Sequence, residues 1–145
     1  MAKFKYSMQN ILDIKLKLET QAKNDFSAAN QKYQIEKDKL QALVLKRIEY
    51  EDKLKTSLSG DLNITAINIA KKDINSIKSA IRTQLSNVKK AEDELDAKRQ
   101  ALNELMKDRK THEKLREKKF EEFQKDERDS ESKEIDELVS FTYNS

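Results

Sequence analysis

The chain has 145 residues, of which 39% are Asp, Glu, Lys or Arg, with one Gly, no Pro, no Cys and no Trp. A β-rich fold needs turns built on Gly and Pro, phosphate and dinucleotide loops need several glycines, and zinc or disulfide frameworks need Cys, so all are excluded. Thirty basic and 27 acidic residues leave a net charge of +3, too balanced to name a partner class by itself.

Lys, Glu, Asp, Gln, Ala and Leu dominate, which suits long helices and coiled coils. The first residues, Met1-Ala2-Lys3-Phe4-Lys5-Tyr6, carry lysines but no apolar stretch follows, so they do not read as a signal peptide. No apolar run reaches the roughly 18 residues of a membrane span. A cytoplasmic protein without direct membrane insertion is expected.

The first element runs over about 4–58. Positions 4, 8, 11, 15, 18, 22, 26, 29, 33, 36, 40, 43, 47, 50, 54 and 58 alternate in steps of three and four, and thirteen of the sixteen are apolar or aromatic. This is the helical period, and two steps of four at 18-22-26 predict a stutter there. Turn residues then cluster at about 59–63, around Gly60. A glycine just past a helix end often takes the left-handed conformation, and Asp61 or Asn63 is placed to cap the next helix.

The second element, about 64–139, keeps a strict heptad through Ile67, Ala70, Ile74, Ile77, Ile81, Gln84, Val88, Ala91, Leu95, Lys98, Leu102 and Leu105, ten of them apolar. A short connection makes the helices antiparallel, so residue numbers adding to about 120 lie opposite one another: Leu54 near Ile67, Leu43 near Ile77, Leu18 near Leu102. The expected fold is all-α, a single coiled-coil domain formed by a long antiparallel two-helix hairpin whose second helix overhangs the first. Such a hairpin is expected to be monomeric when free.

Towards the free ends the seam becomes polar: Arg109, His112, Arg116 and Lys119 follow Leu105. Residues 107–119 hold seven basic and three acidic side chains, whereas 126–138 hold seven acidic and two basic. Apolar Ile135, Leu138, Val139, Phe141 and Tyr143 then reappear with nothing in the first helix to face them, which marks a docking element. His112 has no second His or Cys beside it, and reads as a half-solvated seam residue rather than a ligand. Glu92-Asp93-Glu94 point about 100° apart on a helix and read as a solvated face, not a metal site. Acidic residues interrupt the basic row, and the aromatics lie on the seams, so nucleic acid is not an expected partner. Without a concave pocket no catalytic centre and no cofactor are expected.

Phe4-Lys5-Tyr6-Ser7-Met8-Gln9-Asn10-Ile11-Leu12-Asp13-Ile14-Lys15, with Glu19 and Gln21-Ala22-Lys23, resembles the opening of the flagellar export protein FliJ family. Lys133-Glu134-Ile135-Asp136-Glu137-Leu138 is similar to that family's closing signature. The resemblance implies a coiled-coil component of the flagellar type III export apparatus that has no enzymatic activity. Its implied partners are the export ATPase ring, which it enters and helps assemble, the membrane export gate and the export chaperones. The implied location is cytoplasmic, held peripherally at the inner membrane by the apparatus. ATPase docking is implied for Phe4, Met8, Ile11, Leu12, Lys15, Ile135 and Leu138. A gate or chaperone surface is implied for Leu43, Tyr50, Ile77 and Ala80, with Lys46 and Asp73 standing where aromatics can occur in the family. The rival from another class is a coiled-coil spacer or scaffold unrelated to export.

Overall fold

A computed structural model describes residues 3–144. Two helices account for nearly all of them: α1, Gln9–Leu58, and α2, Ile64–Asn144. The fold is an all-α hairpin. Its contacts fall into two compact units, Lys23–Ala101 and the paired segments Met1–Ala22 and Leu102–Ser145.

In the unit Lys23–Ala101 the predicted seams are the packed faces. Positions 26, 29, 33, 36, 40, 43, 47, 50 and 54 of α1, and every α2 heptad position from 67 to 98, are buried or half-buried. Ala29, Ile74, Ile77, Ala91 and Leu95 form the core. Gln84, one of the two polar residues in the α2 heptad, is also buried, because its amide has partners. It donates to the Glu36 backbone carbonyl at 2.8 Å and to the Glu36 carboxylate. Lys32 pairs with Glu94 at 3.4 Å, and the Arg99 guanidinium lies 5.7 Å from the Phe26 ring. Numbers fall along α1 as they rise along α2, which makes the helices antiparallel. The long side chains meet partners a few positions beyond the predicted register. Helical side chains lean towards their own N-terminus, so an α1 side chain reaches towards higher numbers on α2.

The turn occupies residues 59–63 as the sequence predicts, but Gly60 does not adopt a positive φ, and a Cβ there would meet nothing within 4 Å. The left-handed expectation is therefore corrected. Ser59 closes the end of α1 instead, donating to the Thr56 carbonyl through both its N–H and its Oγ, at 3.2 and 3.0 Å; the Thr56 and Ser57 hydroxyls donate back to the Asp52 and Lys53 carbonyls within the last turns. Asn63 caps α2, its Oδ1 accepting from the Ala66 N–H at 3.2 Å. Leu58, placed on the seam by periodicity, is exposed.

In the unit Met1–Ala22 with Leu102–Ser145, α1 starts at Gln9 rather than at about 4. The Gln9 N–H donates to Tyr6 in a turn, and the Met8 carbonyl accepts the first helical bonds from Ile11 and Leu12. At the other end α2 continues to Asn144, past the predicted 139. The seam of α1 also takes a different phase. Leu12 and Glu19 are 5% and 4% exposed, while Ile11 and Leu18 are 40% and 49% exposed. The two steps of four thus fall at 4-8-12, not at 18-22-26, and Leu18 does not occupy the seam opposite Leu102.

Charge on α2 explains the shift. Its seam presents Arg109 and His112 here, and an Ile11–Leu18 face would give half-buried Arg109 no carboxylate from α1, leaving it Glu113 of its own helix. Presenting Glu19 supplies the carboxylate.

Candidate docking surfaces

The unit Met1–Ala22 with Leu102–Ser145 carries a polar layer. Arg109 is held by Glu19 and, at 2.9 Å, by Glu113 one turn along α2. Lys15 pairs with Asp108, whose second carboxylate oxygen lies 3.6 Å from His112 Nε2. The hydrogen bond from Lys15 holds the Asp108 carboxyl below its ordinary range, and Glu19, ahead of Glu113, raises the Arg109 guanidinium. Arg116 donates to Gln9 Oε1 at 2.9 Å, and its guanidinium lies 5.6 Å from the Phe4 ring. Phe4 in turn packs edge-on against Phe120 and tilted against Phe123, at centroid distances of 5.0 and 5.5 Å. Phe4 is thus in place although no helix holds it. The Tyr6 hydroxyl and His112 Nδ1 are buried without a hydrogen-bond partner among the described residues.

The structure separates the sequence-derived docking residues into two kinds. Leu12 is core, and Phe4, Met8 and Lys15 are half-buried within the same unit. Ile11, Ile135 and Leu138 are exposed, together with Ile14, Leu16, Leu18, Val139, Phe141 and Tyr143. From residue 128 to 143 every side chain is exposed, so the apolar residues there are covered by nothing in the unit.

In the unit Lys23–Ala101, an open groove lies between the two helices near the turn, lined by Tyr50, Thr56, Ala66, Ile69 and Ala70 with Glu49, Asp52 and Asp73 at its edges. Tyr50 is half-buried, as are Leu43 and Ala80, whereas Ile77 belongs to the core. The exposed Ile69 and the edge residues Glu49, Asp52 and Lys53 were not singled out by the sequence, because Ile69 lies off the heptad and isolated charges on a charged helix carry no signal; Asp73 was named there only as standing where aromatics can occur. Among the described residues no group of acidic, His or Cys side chains is arranged to hold a metal ion, and Glu92-Asp93-Glu94 include an ordinary i,i+4 pair of Asp93 with Lys89 at 3.1 Å.

Residues 4–145 match the family model described as flagellar FliJ protein. The chain belongs to the FliJ family. No curated protein and no solved structure matches it. FliJ-family membership makes it a flagellar export component. The match covers both helices, so the polar layer, the exposed apolar residues beyond 128 and the groove beside Tyr50 all lie within the FliJ-like region. No helix among the described residues of this FliJ-family chain is long and apolar enough to cross a membrane.

Proposed function

We propose that this chain is a coiled-coil stalk of the flagellar type III export apparatus, without enzymatic activity of its own. It binds the export ATPase ring and promotes its assembly through the surface of Phe4, Met8, Ile11, Lys15, Ile135 and Leu138, with Leu12 holding that end together. It couples the ring to the membrane export gate, and escorts export chaperones, through the surface around Leu43, Tyr50 and Ala80 that Ile77 supports from the core. It does so at the cytoplasmic face of the inner membrane, associated peripherally through the apparatus.

The observation that carries this reading is the apolar stretch Ile135, Leu138, Val139, Phe141 and Tyr143, exposed on a helix with no facing element. Five large apolar side chains on one lone helix are expensive to leave in water, and docking recovers the contact. A single helix of that length is also marginal by itself, so ordering against a partner stabilises it.

The test is the ATPase activity of the cognate export ATPase with and without the full chain. Stimulation is expected, and a double change of Ile135 and Leu138 to Ser should remove most of it while leaving helicity intact. Absence of both stimulation and co-purification with export components would overturn the reading in favour of a spacer unrelated to export.

A further inference from the structure

In α2, two charge segments stand on either side of Phe120 and Phe123: the basic residues 107–119 and the acidic residues 126–138, equal in length and opposite in sign. The basic side presents a row of lysines. Lys107, Lys110, Lys114 and Lys118 follow one another at three and four residues, share one face, are exposed, and have no ion pair among the described residues. Like charges stacked at i,i+4 repel, so this row is an uncompensated cost in the chain as it stands. On the acidic side Asp126, Glu127, Asp129, Glu131, Glu134, Asp136 and Glu137 are likewise without ion pairs among the described residues.

The two segments cannot neutralise each other within one molecule. They belong to one unbroken helix, and a helix does not fold back on itself. A second molecule can. We propose that residues 107–143 of α2 form a docking surface for the same segment of a second copy of this chain, running antiparallel about a two-fold axis near Glu122 and Phe123. In that alignment Lys107 faces Leu138, Lys114 faces Glu131 and Lys118 faces Glu127, and the same contacts repeat on the other side of the axis, as a two-fold interface requires. The lysine stems cover Ile135 and Leu138 of the other copy while their ammonium groups reach its carboxylates. A parallel arrangement would set acid against acid, so the charges also choose the orientation. The dimer so formed is salt-sensitive, and sets this proposal against the free monomer that the lone hairpin leads one to expect. This inference does not depend on ATPase binding; ring stimulation can fail while self-association stands.

Sedimentation velocity on the full chain tests it, over a concentration series at about 50 mM and about 500 mM NaCl, where the screening length falls severalfold. A twofold rise in mass with concentration is expected at low salt, with loss of the dimer at high salt. Reversing the lysine row (K107E, K110E, K114E and K118E) should give a monomer, as should reversing Glu127, Glu131, Glu134 and Glu137 to Lys. Mixing the two variants should restore a dimer of one with the other, a rescue that a folding defect would not show. The chain has no cysteine, so Glu121→Cys joined by a short bis-maleimide should cross-link, and Ser59→Cys should not. A monomer at every concentration and salt, a dimer that survives high salt or cross-links through position 59, or failure of the mixed rescue would each overturn the proposal.

Discussion

Glu19 lies beneath Arg109, its side chain almost wholly withdrawn from solvent, at a seam position adjacent to a leucine that stays in water. The two form a largely buried ion pair within the unit Met1–Ala22 with Leu102–Ser145. Removing one partner of such a pair deprives a buried charge of that counter-charge, whereas replacing both with apolar residues of similar volume is often neutral. Arg109→Leu alone should therefore lower the urea midpoint of that unit clearly. Glu19→Leu with Arg109→Leu should return it near to wild type. Circular dichroism over a urea series measures both; equal losses in the single and double variants would show that the pair is not coupled.

Leu12 and Leu18 differ by one step of helical phase and should differ sharply in cost. Leu12→Ala empties a core position and is expected to destabilise by about 2–4 kcal/mol. Leu18→Ala trims a half-exposed side chain and should cost under about 1 kcal/mol. Denaturant midpoints of the two variants decide the phase; the reverse order would restore the seam read from periodicity.

The turn makes a pair of opposite predictions. Gly60→Ala meets open space at an ordinary backbone conformation, so it should be neutral or stabilising by about 0.4–1 kcal/mol through the unfolded chain. Asn63→Ala removes the cap of α2 and should cost about 1 kcal/mol. Thermal melts of the two variants should move in opposite directions.

Acid should weaken both units. Asp108 is held below its ordinary 3.8 mainly by the hydrogen bond from Lys15, and Glu36 below its ordinary 4.5 mainly by the hydrogen bond from Gln84. A carboxyl lowered on folding contributes its stability above the unfolded value and loses it as pH falls through the folded value. Melting temperatures should thus be flat from neutral to mildly acid pH and decline below about pH 4, where these groups begin to take up protons. Asp108→Asn with Glu36→Gln should flatten that decline, measured by melts across the range.

The sequence by itself determined the helices, the turn at 59–63, the antiparallel sense and the seam from Ala22 to Leu54 and from Ile67 to Leu105, because a heptad that repeats many times leaves one face to bury. It also marked Ile135, Leu138 and Val139 as apolar residues without a facing element. Tertiary structure alone decided what periodicity cannot weigh. Whether Leu18 or Glu19 turns inward depends on Arg109, ninety positions away in the chain, and a hydropathy pattern contains no term for that counter-charge. Gly60 likewise needed no left-handed conformation once Ser59 had supplied two donors to the Thr56 carbonyl at the end of α1. Pattern fixes which stripes are apolar; only the folded pairing fixes which polar groups find partners, and near the free ends that second requirement outweighs the first.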